Sequence, residues 1–169
     1  NLKTFLSAAD ALKKYENLDY NEEVLKRSLK NIKRNSNISG RFELISENPK
    51  IILDVSHNLQ AIQNIKKNLS YFKFEKLIII FAMMKDKNYE ECLSELSKLR
   101  AKIILTKPEY KRSAEPSELL KAVKRNRSGF IVKNDLKSAV KEAREISGRK
   151  DLILITGSFF LAGDYLNLP

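Results

Sequence analysis

The stretch "KIILDVSHNLQAI", Lys50 to Ile62, sets Asp54, Ser56, His57 and Asn58 where an apolar run gives way to helical spacing, and it holds the chain's only histidine. Similar polar clusters follow other apolar runs. "MMKDK" carries Lys85, Asp86 and Lys87, "TKPEYKRS" carries Lys107, Lys111 and Arg112, and "TGSFF" carries Thr156 and Ser158. Lysine and arginine match phosphate or carboxylate, while an aspartate accepts from hydroxyls such as those of a ribose. An anionic, hydroxyl-bearing ligand is the chemistry this set suits. His57 is open to three roles: base, metal ligand, or neutral group that positions a substrate by hydrogen bonding. Ser56 or Asn58 can cap the helix that follows and leave its amino end facing a phosphate. The simpler reading of "DVSHN" is a strand-to-helix turn made of capping residues, and the motif alone does not separate the two.

Several chemistries are excluded. One histidine and one cysteine, Cys92, cannot build a Cys/His zinc site or an internal disulfide, so no metal site is expected in this chain. Cys92 stands in "YEECLSELSKL" on the apolar face of a helical pattern, as a packing thiol. A serine triad lacks its G-x-S-x-G elbow, of which Gly157-Ser158 is only half. Neither G-x-x-x-x-G-K-[ST] nor G-x-G-x-x-G occurs in a chain with five glycines, so a bound nucleotide needs its phosphate cradle elsewhere.

The 169 residues, 43% of them hydrophobic, suffice for one core of ordinary size with an appended arm. No run approaches the roughly 18 continuous apolar residues of a membrane span. The opening "NLKTFLSAADALKKYENL" lacks the charged-then-apolar layout of a secretory signal, so a soluble, cytoplasmic protein without a membrane partner is expected. Asn1, rather than methionine, opens the chain inside a helical pattern, which suggests a piece of a longer protein. The net charge of +11 favours anionic partners. Its lysines are spread along nearly every helix rather than gathered on one face with interleaved aromatics. A solvated basic surface is therefore expected, with a nucleic-acid-binding module as the alternative from another class.

The elements that must position these clusters follow from periodicity. Leu2, Phe5, Leu6, Ala9 and Leu12, then Val24, Leu25, Leu29 and Ile32, predict two amphipathic helices ahead of any strand. "RNSNISG" marks a boundary, and "ENP" joins Arg41–Ser46 and Lys50–Val55 as a hairpin. From there, apolar strands ("KLIIIFA", "KIILT", "GFIV", "DLILITG") alternate with amphipathic helices, and "SFFLAGDYL" closes the chain as a short helix. That alternation predicts an α/β three-layer, Rossmann-like domain with a mostly parallel six-stranded sheet and one antiparallel edge strand. In such sheets ligands bind beyond the carboxyl ends of the strands, where all four polar clusters fall.

These residues also carry a family resemblance. "GRFELISENPKIILDVSHNLQAI" resembles the "GR-E…-DGAHNP" segment that opens the C-terminal domain of folylpolyglutamate and dihydrofolate synthases, members of the Mur ligase superfamily. "IIIFAMMKDKNYEECLSEL" is similar to the family's "V-F-G-M…DKD" stretch, and "DLILITGSFFLAGD" to its closing "VTGSLYLVGE". "NLKTFLSAADAL" resembles the helix that ends the preceding ATPase domain. The chain departs from "DGAHNP" at Val55, Ser56 and Leu59, while Asp54, His57 and Asn58 are retained.

The resemblance implies residues 1–37 as the helical end of an ATPase domain with its linker, and 38–169 as the C-terminal domain. It implies a ligase that adds glutamate to a folate or dihydropteroate carboxylate by way of an acyl phosphate made from ATP. The P-loop and magnesium ligands would lie in the amino-terminal ATPase domain of the same polypeptide, expected to be a monomer. Asn1, Arg41 and Asp54 match ATP contacts of the family, with Arg41 toward the phosphates and Asp54 toward the ribose. His57 and Ser158 match residues of the interdomain cleft, Ser158 as a further cofactor-binding candidate, and His57 and Asp54 are the candidates for a catalytic part. Lys85, Lys87 and Arg112 are the candidates for the glutamate carboxylates. A Mur-type peptidoglycan precursor ligase is the nearer alternative.

Overall fold

The computed structural model describes residues 2–16, 21–36, 38–123 and 129–168. They fall into two compact units, residues 1–39 and 40–169. The first unit holds α1 (Leu2–Tyr15), α2 (Glu22–Lys30) and α3 (Ile32–Ser36). Helix α2 starts where the Asn21 side chain accepts from the Val24 N–H at 2.8 Å, with Glu22 and Glu23 in the first turn and Arg27 and Lys30 in the last. The spacing predicts two helices here, but the structure has three. Asn31 turns its backbone and side-chain N–H groups onto the Arg27 carbonyl and ends α2, although Ile32 continues the apolar period beyond it.

The second unit is a six-stranded sheet in the order β1-β2-β6-β3-β4-β5, with β1 Glu43–Glu47, β2 Lys50–Leu53, β3 Leu77–Phe81, β4 Ala101–Leu105, β5 Phe130–Val132 and β6 Leu152–Thr156. Only β1 runs antiparallel, hairpinned to β2 through a cis Asn48-Pro49 bond and bulged between Leu44 and Ser46. The three-layer reading of the sequence holds. Strand β1 begins after the expected Arg41, because Arg41 and Phe42 form a turn in which Phe42 takes φ +52°.

Alternation along each strand divides the core. Ile52, Ile79, Phe81, Ile103 and Leu154 face α4 (Leu59–Leu69), α5 (Tyr89–Leu96) and α6 (Pro116–Ala122), while Leu53, Ile78, Ile80, Ile104 and Ile155 face α7 (Leu136–Ile146) and α8 (Phe159–Leu166). Both faces are covered, so β3 is apolar throughout, β6 is apolar up to its terminal Thr156, and both are wholly buried. Cys92 packs in the first of these layers, where burial pushes its thiol up to about 11. At the amino ends of the strands, the buried Asp151 carboxylate accepts from the Lys76 and Gly148 N–H groups and pins the starts of β3 and β6. No described helix is long and apolar enough to cross a membrane.

The topology places a crevice. Helix α5 leaves β3 on one face and α8 leaves β6 on the other, although the two strands are neighbours. The chain separates at their carboxyl ends, which is the switch point where open α/β sheets take ligands.

Two glycines of α8 and its approach should respond oppositely to alanine. Gly157 has φ +110°, and a Cβ there would lie 2.2 Å from the Ala82 carbonyl oxygen, so Gly157→Ala should cost roughly 2–4 kcal/mol in urea unfolding. Gly163, where a Cβ meets nothing within 4 Å, should gain about 0.5–1 kcal/mol as alanine. Cys92 should resist an aromatic disulfide reagent at pH 8 in the folded protein and react promptly in denaturant. Fast labelling without denaturant would contradict its burial.

Candidate functional site

The strand-end clusters meet in three dimensions. A cavity of about 160 Å³ at the switch point is walled by His57 after β2, Met84, Asp86 and Lys87 after β3, Arg112 after β4, and Gly157 to Phe160 after β6. The glycine lets the β6 end pass directly over Ala82 and Phe81, so the next residue, Ser158, enters at the crevice. Ser158 is buried and its Oγ accepts from the Phe160 N–H at 3.0 Å, capping α8. The amino end of α8, with the positive pole of its dipole, therefore opens into the cavity.

His57 is fixed by its Nδ1, 2.9 Å from the Val55 carbonyl, and by its ring lying 5.4 Å from that of Phe159. A carbonyl only accepts, so Nδ1 carries a proton, and Nε2 is the ring nitrogen turned to the cavity, an acceptor in that tautomer. Asn58, rather than Ser56, caps α4, accepting from the Ala61 N–H at 2.9 Å. Arg112 reaches the Tyr110 hydroxyl at 3.4 Å, and Tyr110 stacks on Phe160 at 3.8 Å between ring centres. The loop after β4 and the first turn of α8 are thus joined by an aromatic pair at the cavity mouth. Desolvation opposes the charge of Asp86, but the hydrogen bond from Lys87 and the charges of Lys87 and Arg112 hold its carboxyl below the usual carboxylate range. The wall presents two cations, one anion that stays ionised, a ring-nitrogen acceptor and a helix amino end. That combination suits a small zwitterion with carboxylate and ammonium groups.

Asp54 serves the neighbouring turn. It is buried, and its Oδ2 accepts from the Phe42 N–H at 3.1 Å while its Oδ1 accepts from the Ser56 N–H at 3.0 Å and the Thr156 hydroxyl at 3.4 Å. These bonds hold Phe42 in its left-handed conformation and leave Arg41 exposed beside it. Gly40, at φ +76°, is required here as well: a Cβ would lie 2.8 Å from Val55 Cγ1.

Of the residues singled out in the sequence, His57, Asp86, Lys87, Arg112 and Ser158 share the cavity. Lys85 is exposed and joined to this region by its backbone N–H, which donates to the Arg112 carbonyl at 2.8 Å. Arg41 and Asp54 form the adjacent turn, and Asn1 lies outside the described residues. Sequence reasoning passed over Tyr110, Phe159 and Phe160. Their only signal was aromatics flanking polar strand ends, and pairing across separate loops has no spacing in sequence. Among the described residues no group of three His, Cys, Asp or Glu side chains could hold a metal ion.

Known proteins share this arrangement of elements. The family model for the glutamate ligase domain of Mur ligases matches residues 40–159. A dihydrofolate synthase/folylpolyglutamate synthase of Buchnera aphidicola is 27% identical over 155 residues, covering 91% of this chain and 36% of the relative. A UDP-N-acetylmuramoyl-L-alanyl-D-glutamate–2,6-diaminopimelate ligase of Clostridioides difficile is 22% identical over 134 residues, 75% of this chain and 28% of the relative. In structure, the bifunctional folylpolyglutamate synthase/dihydrofolate synthase of Yersinia pestis superposes with a TM-score of 0.79 at 24% identity, over 94% of this chain and 37% of that one. The chain therefore spans 28% to 37% of the length of these relatives.

Asp54→Asn should test the turn. An amide cannot accept at both ends, so one of the Phe42 and Ser56 N–H groups loses its partner, at a cost of about 1–3 kcal/mol. Hydrogen exchange at those two amides should accelerate while the interior of β3 stays protected. Unchanged exchange at both would contradict the role given to Asp54.

Proposed function

The chain belongs to the family of the Mur ligase glutamate ligase domain, and from that premise we propose that it forms the closing wall of an ATP-dependent ligase joining glutamate to a folate or dihydropteroate carboxylate. The observation that carries this reading is the switch-point cavity, in which Lys87, Arg112, Asp86 and the α8 amino end converge on a volume of about 160 Å³. Lys87 and Arg112 take the carboxylates of the incoming glutamate, and Asp86 attracts its ammonium group. His57 Nε2 accepts a hydrogen bond from the amine and orients it, and the capped α8 amino end adds positive potential.

Arg41 stands on the turn fixed by Asp54 and faces the phosphates across the cleft. ATP supplies the phosphoryl group that activates the acceptor carboxylate. Once the ammonium group has given a proton to water, the free amine attacks the acyl carbon, the acyl C–O bond to phosphate breaks, and the nitrogen releases its second proton as phosphate leaves. What this chain contributes is charge neutralisation, positioning and exclusion of the water that would hydrolyse an acyl phosphate. Magnesium ligands belong, on the family resemblance, to the amino-terminal ATPase domain.

A second reading, a peptidoglycan precursor ligase, is favoured by the similarity to the diaminopimelate ligase. The two differ in acceptor. ADP release by the polypeptide that joins this chain to its ATPase domain should require glutamate and either dihydropteroate or tetrahydrofolate. Turnover only with a nucleotide-sugar peptide would overturn the folate reading in favour of the second.

Two substitutions test the assignments within that enzyme. Loss of a charge-assisted hydrogen bond removes about 1.5–3 kcal/mol, so Arg112→Ala should raise the KM for glutamate roughly tenfold to a hundredfold and leave the KM for ATP in place. By the same arithmetic Arg41→Ala should lower kcat by about tenfold to a hundredfold. An unchanged glutamate KM in the first variant, or wild-type kcat in the second, would remove that residue from the account.

A further inference from the structure

A second cavity, of about 500 Å³, opens at the amino-terminal end of β3, away from the strand ends that build the first. Its floor is apolar, formed by Leu69 at the end of α4 and by Phe72 and Phe74 in the loop that follows. Lys66, Lys73 and Arg100 stand around it. Elsewhere on this basic surface several lysines, though not all, sit in ion pairs, among them Lys98 with Glu95, Lys107 with Glu115, Lys133 with Glu142 and Lys150 with Glu75. Among the described residues, no such pair involves Lys66, Lys73 or Arg100. The aromatic wall is also preorganised. Phe72 packs on Phe42 at 5.9 Å between ring centres, and Phe42 is held by the Asp54 carboxylate.

We infer that this cavity is a binding site for an aromatic anion, a flat ring bearing carboxylate or phosphate. A ring stacks on or tilts against Phe72 and Phe74, and its charge meets cations that no carboxylate among the described residues pairs with. The volume lies within the range that small-molecule sites occupy. Phe72 is already fixed against Phe42, so little side-chain freedom is lost on that wall when the ring arrives. The closing wall proposed above makes no use of this site, and the inference stands whether or not that reading does.

The probe is 8-anilinonaphthalene-1-sulfonate, itself an aromatic anion, titrated by fluorescence into this chain. Saturable binding to one class of site is expected. The double variant Lys73→Glu/Arg100→Glu should weaken it at least tenfold. Lys141→Glu/Arg144→Glu, which places the same loss of charge beside the apolar groove between α7 and α8, should change it less than twofold. Circular dichroism should be identical for the three proteins. Equal weakening by both double variants would reduce the binding to net charge and overturn the inference, as would the absence of saturation.

Competition then identifies the natural class. Displacement of the dye by N-benzoylglutamate assigns an aromatic carboxylate, and displacement by adenosine monophosphate assigns a nucleotide. Displacement by neither would mean a site for the dye alone and would overturn the inference.

Discussion

The buried carboxylate of Asp54 joins three segments that are far apart in sequence: the Arg41-Phe42 turn, the loop toward α4, and the end of β6. A carboxylate withdrawn from water is costly unless hydrogen-bonded, so these donors are requirements of its burial. Once they are in place, the Phe42 backbone is committed to a left-handed conformation, Arg41 is presented to solvent, and Ser56 begins the loop that carries His57 and the Asn58 cap. The ends of β2 and β6 are held together at the place where the sheet divides its helices between faces. The polar strand ends thus form a wall of fixed shape.

The sheet supplies the other half of that rigidity. Strands β3 and β6 are buried on both faces and offer nothing but backbone and apolar side chains until they end. Chemistry is confined to their carboxyl ends, and Gly157 decides how closely those ends approach. With φ +110° and Ala82 and Phe81 against it, Gly157 lets Ser158 cap α8 inside the crevice. The Tyr110 and Phe160 stack then ties the Arg112 loop to α8, so a cation from β4 and a helix amino end from β6 keep a common geometry.

Most of the fold was legible because each strand is short, apolar and bounded by polar turns, and each helix carries a 3.6-residue apolar period. The antiparallel edge followed from two strand patterns flanking a Pro-containing turn. What periodicity concealed was a break within it. Ile32 keeps the register of α2, yet Asn31 ends that helix through its own side chain. At the site, His57, Asp86, Lys87, Arg112 and Ser158 were legible as polar residues at strand ends, since topology alone brings such ends together. The three protein bonds of Asp54 were not, because a carboxylate that accepts from residue 42 and residue 156 leaves no local pattern. Nor was the Tyr110 and Phe160 stack, a contact between a loop and a helix separated by two strands and two helices.

The central claim is that the strand-end cavity receives the incoming amino acid. The most direct measurement is a crystal structure of the proposed ligase, a polypeptide that joins this chain to an ATPase domain, grown with a non-hydrolysable ATP analogue and glutamate. The account predicts glutamate in the switch-point cavity, with its carboxylate oxygens within hydrogen-bonding distance of Arg112 and Lys87 and its nitrogen toward His57. Glutamate held entirely by the ATPase domain, with this cavity holding only solvent, would contradict it.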